Sequence, residues 1–199
     1  MRRSLTNLVR GGCFVIAMIA GSMMASADGE IDKLMTAADK ARLADYDKTR
    51  AEAIAEARKG GTAQDVAILD AILAGKALAF SQDFDFTGNW QCRTVKLGGS
   101  PALTVYGWFK CRVTDDGSGW RLEKLTGSQR TAGAFYTDSD TRLIYIGALH
   151  YGDEKPKRYA SDADRDQVAY VLRPDEKRVR LEFPSPKYES KLDIIELTR

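Results

Sequence analysis

At Ser81 the hydrophobic pattern changes period, and that change divides the fold. Downstream, Phe84, Phe86, Gly88, Trp90 and Cys92 alternate with Asp83, Asp85, Thr87, Asn89 and Gln91, the period-two signature of a strand with one buried face. Upstream, residues 31–78 are rich in Ala, Leu, Glu, Lys and Arg and lack proline, which favours helix. The expected architecture is therefore α+β and mainly β. A helical hairpin over residues 28–78 precedes an eight-strand antiparallel barrel over residues 79–199, the two packed as one domain.

In the helical part, Thr36 with Asp39 three residues on forms a variant of the capping box and opens a helix to about Arg58, which Gly60-Gly61 ends. Leu43, Tyr46, Ile54 and Ala57 fall on one stripe interrupted by Arg50, so the helix docks by a narrow face. Thr62 and Asp65 repeat the signal for a second helix with Val66, Leu69, Ile72 and Leu73 on its apolar face, ending near Gly75. After the first strand, further strands are expected at Val105 to Val113, Trp120 to Leu125, Ala132 to Thr137, Leu143 to Leu149, Val168 to Leu172, Val179 to Phe183 and Leu192 to Leu197. Turn residues separate them, as in Gly98-Gly99-Ser100-Pro101 and Asp115-Asp116-Gly117. This short, even spacing is that of a barrel or sandwich. The charged connection Tyr151 to Gln167 reads as a solvated loop or a lid. Arg178, Arg180 and Glu182 alternate with apolar residues and read as a solvated strand face.

The first residues have the form of a signal peptide. Arg2, Arg3 and Arg10 precede an apolar run from Cys13 to Met24, and Ala25-Ser26-Ala27 is a small-x-small cleavage site, so cleavage is expected before Asp28. The run is too short to cross a membrane, which takes about 20 residues. Removing residues 1–27 takes away three arginines and no acid from a total of 30 Lys and Arg against 28 Asp and Glu. The remaining chain is close to neutral, with no strong positive field to favour nucleic acid. Periplasmic or secreted localisation is expected. It leaves Cys92 and Cys111 as an even pair, most simply a disulfide, with free buried thiols as the alternative.

Strand parity points both thiols to the core, Cys92 with Phe86 and Trp90, Cys111 with Phe109 and Val113. A register with Cys92 opposite Cys111 places Trp90 opposite Val113 and Thr94 opposite Phe109. It leaves Ser100 to Leu103 as a four-residue turn with Pro101 in its second position.

Phe86-Thr87-Gly88-Asn89-Trp90 resembles the first strand of lipocalin-type barrels, in which a Gly-x-Trp places the indole across the closed end. The strings NWQCRTVKLGG, VYGWFKCRV, EKLTGSQRTAG and PSPKYESKLDIIEL together resemble a proteobacterial exported family described as a domain of unknown function. That resemblance implies one exported domain holding both cysteines, and it assigns no catalytic or ligand residues.

For chemistry, the single His150 limits acid–base catalysis. Ser128 lacks the Gly-x-Ser-x-Gly context of a nucleophile elbow, so a Ser128/His150 triad is disfavoured and no catalytic residue is assigned. Glu189 and Asp193, four residues apart and so on the same side of a strand, stand about 13 Å apart, too far for a glycosidase pair. Two cysteines and one histidine argue against structural zinc, and no metal or cofactor is expected. The candidate binding residues are Arg93, Lys124, Gln129 and Arg130 with Tyr136 and Tyr145, a set able to recognise a carboxylate or phosphate at a barrel mouth. For Arg93 and Arg130 a structural role, pairing with Glu123, Asp193 or Glu196 to lock strands, is the favoured alternative. The expected partner is a small anionic or amphipathic ligand. An envelope-protein interaction module with a filled barrel is the second reading, and a hydrolase the last.

Overall fold

The computed structural model describes residues 28–81 and 83–199. The expected signal segment, residues 1–27, lies outside the described residues. Nine strands follow one another, β1 (Gly88–Leu97), β2 (Leu103–Val105), β3 (Phe109–Asp115), β4 (Trp120–Lys124), β5 (Gln129–Ser139), β6 (Arg142–Tyr151), β7 (Asp166–Leu172), β8 (Arg178–Pro184) and β9 (Leu192–Thr198). In the sheet the order is β2-β1-β3-β4-β5-β6-β7-β8-β9 with every neighbouring pair antiparallel, and β9 returns to β1 from Gln91↔Thr198 to Leu97↔Leu192. Eight strands thus close a barrel, and β2 adds a short pairing beside the far half of β1. Closure leaves the main strands without a free edge.

The Cys92–Cys111 disulfide is present, with Cα atoms 5.9 Å apart, but the register differs from the expected one by two residues. Cys92 lies opposite Phe109 and Trp90 opposite Cys111, so the bridge joins a diagonal pair. A two-residue slip keeps every side chain on its face, which is why parity could not distinguish the two. The expected continuous strand from Val105 to Val113 is broken at Tyr106-Gly107-Trp108. Val95 pairs with Val105 on one side of the break and Cys92 with Phe109 on the other. The extra residue inverts the facing, so Leu103 packs with Val95 and Leu97 on the outer wall while Cys111 and Val113 belong to the interior. The turn before β2 accordingly spans residues 98–102, closed by Gly98 N–H donating to Ala102 O.

Four helices, rather than the expected two, cover the outer wall: α1 (Asp28–Leu34), α2 (Ala37–Ala44), α3 (Tyr46–Gly60) and α4 (Ala63–Leu73). The caps are where the sequence placed them, with Thr36 and Thr62 Oγ1 accepting from the N–H of Asp39 and Asp65. The long helix expected from Thr36 to Arg58 breaks at Asp45, whose φ −90°, ψ 5° ends α2 and starts α3. An unbroken helix of that length would run straight for about 34 Å at 1.5 Å per residue, while the wall beneath it curves. The break lets Leu43 pack with Ile144, Ile146 and Val168, and Ile54 with Val95, Leu97 and Ile194.

Helix docking also buries the β8 face that reads as solvated. Glu182 has 0% exposure and Arg180 6%. Tyr46 Oη and Arg50 Nε donate to Glu182 Oε2 at 2.8 and 2.6 Å, and Arg180 Nη1 donates to Ile72 O at 2.7 Å. Arg180 Nε stands 2.6 Å from Glu182 Oε1. Two guanidiniums and a phenol thus surround a carboxylate that would be prohibitive to bury alone, and the Ile72 carbonyl near the end of α4 holds Arg180 in place. Burial and the Glu182 charge push the Tyr46 phenol well above its ordinary range.

Inside, one end of the barrel is filled with rings. Phe84 and Phe86 approach in extended chain before β1, and Phe86 meets Trp90 and Trp120 edge-on at 5.5 Å. Trp90 is 3% exposed, donates from Nε1 to Phe86 O at 3.0 Å, and lies 4.3 Å beneath the Arg199 guanidinium. The Gly-x-Trp tryptophan therefore sits at the closed end, as the lipocalin resemblance implied. Val113, Val179, Leu181 and Phe183 are core as expected, while Phe109 is only partly buried.

Candidate functional site at the open end of the barrel

The opposite end opens into a cavity of about 200 Å³. Its wall is made by the mouth-side residues of inward parity: Thr94 and Lys96 of β1, Phe109 of β3, Lys124 of β4, Gln129 and Thr131 of β5, Gln167 of β7, and Asp193 of β9. Ser128 and Arg130 flank the β4–β5 turn, and Glu189 and Tyr106 complete the rim. A smaller cleft of about 40 Å³ adjoins it, sharing Lys96, Gln129, Gln167 and Asp193 and adding Lys187 and Tyr188.

The floor depends on two missing side chains. A Cβ at Gly147 would stand 2.3 Å from Tyr145 Oη, and one at Gly133 2.7 Å from the same ring. These glycines, paired across β5 and β6, let the fully buried Tyr145 ring lie along the strand. Thr131 Oγ1 donates to Gln167 Oε1 at 2.6 Å and, with its one proton so used, accepts from Tyr145 Oη at 2.6 Å. Gln129 Oε1 accepts from Lys96 Nζ at 3.1 Å. With both amide oxygens engaged, the NH₂ groups of Gln129 and Gln167 remain as donors in the cavity wall.

Three charged groups at this end depart from their ordinary behaviour. Lys124 is 5% exposed, and its Nζ donates to Gln129 O at 2.9 Å and Thr94 Oγ1 at 3.4 Å, 4.2 Å from the centre of the Phe109 ring. Among the described residues no carboxylate lies within 4 Å of it. Burial, and then the positive charge of Lys96, pull its ammonium down to about 8. Asp193 accepts from Ser190 Oγ at 2.5 Å, and burial raises its carboxyl to about 6 against the pull of Lys96 and Lys124. Burial acts to lower Lys96 too, but its ion pair with Glu189 and the Asp193 charge hold it above the usual lysine value. A lowered lysine and a raised aspartate lining one cleft make this end the candidate site.

Of the sequence candidates, Lys124, Gln129 and Arg130 come together here. Arg130 lies at the rim with Nε donating to Gly127 O at 2.9 Å. Tyr145 is beneath the floor. Arg93 is not at the site. It faces the outer wall, donates to Glu196 Oε2 at 2.7 Å and stacks on Trp108. Tyr136 also faces outward, among Ile144, Ile146 and Tyr170. Lys96, Thr131, Gln167 and Asp193 were missed, although Trp90, Cys92, Thr94 and Lys96 form one inward series that would have revealed Lys96 and excluded Arg93.

The strand spacing used to separate Glu189 from Asp193 does not apply. Glu189 precedes β9 in a turn at φ 74°, and both carboxylates line the same cavity. His150 turns to the outer side of β6, where its Nδ1 contacts Tyr151 O, while Ser128 is at the cavity. Their side chains therefore form no triad. Among the described residues no group of three or more His, Cys, Asp or Glu is placed to hold a metal.

The arrangement offers converging donors, one lysine without a carboxylate partner and one carboxyl able to hold a proton near neutrality, in a space that fits a few heavy atoms. It can bind a small polar group and exchange a proton with it. Neither the comparison with curated proteins nor that with solved structures gave a match. Residues 32–197, covering the barrel and nearly all of the helical wall, match the family described as a domain of unknown function, DUF4893. The chain belongs to that family.

Proposed function

We propose that this protein is an exported binding module that takes the anionic end of a small molecule into the open end of its barrel. The carrying observation is Lys124, a buried ammonium with no carboxylate partner, set beside the free NH₂ groups of Gln129 and Gln167. An incoming carboxylate would supply the charge that Lys124 lacks and accept from these donors, and charge-assisted contacts of this kind are the strong ones. The cavity of about 200 Å³ is below the ~300–1,000 Å³ that houses a drug-sized ligand. It therefore admits a short acid or the end of a longer one, with Tyr106 and Tyr188, 40% and 42% exposed, flanking the remainder. The signal-like first residues and the Cys92–Cys111 bridge support an oxidising compartment.

The test is calorimetric titration of the disulfide-intact protein with lactate, butyrate and benzoate. At least one acid is expected to bind with one-to-one stoichiometry, more tightly as pH falls from 9 to 7 and Lys124 gains its proton. Lys124→Met should weaken it by about tenfold or more, roughly 1.4 kcal/mol. Absence of binding by all three at millimolar concentration, or an unchanged affinity in Lys124→Met, would overturn the reading.

A further inference from the structure

Lys124 has a second property that anion binding does not use. Its ammonium is desolvated, lies against an aromatic face and shares its cavity with Lys96, whose own charge is already matched by Glu189. Burial beside another cation is how proteins make a lysine nucleophilic. Two of the donor positions on Nζ are occupied by Gln129 O and Thr94 Oγ1, which leaves one direction for a lone pair once the proton is lost. With burial pulling the amine down to about 8, about a tenth of it is neutral at pH 7, far more than for a lysine at its ordinary value.

We propose that Lys124 captures ligands bearing a ketone or aldehyde next to a carboxylate, the 2-oxo acids, as a reversible imine. This rests on the reading that the cavity admits a small acid, and it names the class. The carboxylate takes the NH₂ groups of Gln129 and Gln167, placing the adjacent carbonyl at Nζ. The Nζ lone pair forms the bond to the carbonyl carbon, and the π pair moves to oxygen, which takes up a proton as the nitrogen gives one up. The resulting carbinolamine then loses its hydroxyl as water after a second protonation while the nitrogen pair forms C=N. Overall, neutral amine, carbonyl compound and one proton give the iminium and water, with nothing oxidised or reduced. Asp193 lines the same cavity and is the acid placed to supply the proton to the departing water. Hydrolysis runs the same steps backwards and releases the ligand.

The experiment is reductive trapping of the disulfide-intact protein with pyruvate and cyanoborohydride, followed by peptide mass mapping. The expected result is saturable labelling of Lys124 at a rate about tenfold or more above any other lysine. Because Lys124 must be neutral and Asp193 protonated, the rate of imine formation should hold a plateau between about pH 6 and 8 and fall on either side, with Lys96 and Arg130 disfavouring the Lys124 ammonium and Asp193 and Glu189 favouring it. Lys124→Arg, checked for folding by its unfolding transition, should abolish the fast label, and Asp193→Asn should slow it. Labelling spread evenly over exposed lysines, or an unlabelled Lys124, overturns the proposal. Lactate, which has no carbonyl, distinguishes this from the reading beneath it. Lactate binding that depends on Lys124 without a pyruvate adduct overturns the imine alone. A pyruvate adduct at Lys124 that lactate neither competes with nor binds beside supports the imine and overturns recognition through the carboxylate.

Discussion

Where β1 begins, Phe84, Phe86, Trp90 and Trp120 pack ring on ring, whereas where it ends the same inward row presents Thr94 and Lys96 to an open cavity. The contrast extends around the barrel. Phe135 of β5 meets Phe86 at 4.9 Å, while four residues earlier on the same face Thr131 holds Tyr145 and Gln167. Aromatic burial is worth roughly 25 cal/mol for each Å² removed from water, plus the edge-to-face preference of the rings. Desolvated charge works in the opposite direction, since Lys124 and Asp193 are held away from the protonation states they prefer in water. One end is thus organised to stabilise, and the other retains groups whose placement is unfavourable until something fills the cavity. Sites built this way commonly trade stability for function.

The sharpest way to break the comparison is at the closed end. Trp90→Ala removes an indole that is 3% exposed and leaves a cavity among Phe86, Cys111 and Arg199. The expected loss is about 3–5 kcal/mol, read as a lowered denaturant midpoint with an unchanged slope. Acid affinity measured on the folded fraction should stay the same. A large loss of affinity at unchanged stability would show that the two ends are not separable.

A smaller effect is expected at the mouth, and of opposite sign. Asp193 has a folded-state value of about 6 against an ordinary 3.8, so the native state binds more protons than the unfolded chain between these values. The group therefore destabilises the fold above pH 6, and that penalty is relieved as pH falls from 6 towards 4. Asp193→Asn, which cannot ionise, should be more stable than wild type at pH 7, and the difference should shrink by pH 5. Lys124 acts in the complementary window. Its folded value of about 8 lies below 10.5, so its penalty is present below pH 8 and disappears as pH rises towards 10. Unfolding midpoints of the Asp193 pair at pH 5 and 7 check the sign, and a wild type that remains more stable than the variant at both would remove the carboxyl from the unfavourable list.

The closed end was legible in the sequence because alternating aromatics leave one interpretation, and Trp90 and Cys92 could be placed inward from their spacing alone. The helix starts were equally legible, since Thr36 and Thr62 carry their own capping chemistry. Register was not, because a slip of two residues preserves every facing and the bulge at Tyr106 to Trp108 is marked by little more than Gly107. Arg178, Arg180 and Glu182 misled for a different reason. A polar strand face does not reveal that a helix will bring Tyr46 and Arg50 to cover it, and that information lies in the other element's sequence. At the mouth, Arg93 and Tyr136 suited an anion site by chemistry but not by parity. Lys96 and Asp193 suited it by parity, but from sequence Asp193 reads as a cross-strand ion-pair partner, and only closure of the barrel sets it opposite Lys96 on β1 and β9.

The finest test concerns what holds the open end in shape. The long charged connection between β6 and β7 is fastened rather than free, through one residue above all. Tyr159 Oη donates to the buried Asp39 carboxylate at 2.5 Å and accepts from the Thr36 N–H at 2.9 Å. Arg42 then ties Asp39 Oδ1 to Asp166 O, at the start of β7 and next to Gln167 of the cavity wall. Tyr159→Phe keeps the ring and removes both hydrogen bonds, leaving Asp39 with its Thr36 and Arg42 donors. The global loss should be about 2–3 kcal/mol, the sum of one ordinary bond and one to a carboxylate. The local effect should be larger. Amide exchange in residues 152–166 is expected to accelerate while that of β1 and β9 is unchanged, because openings of a surface segment need not involve the barrel. If the connection positions Gln167, acid binding weakens along with it. If exchange accelerates and affinity holds, the cavity is set by the barrel alone and the connection serves only to dock α2.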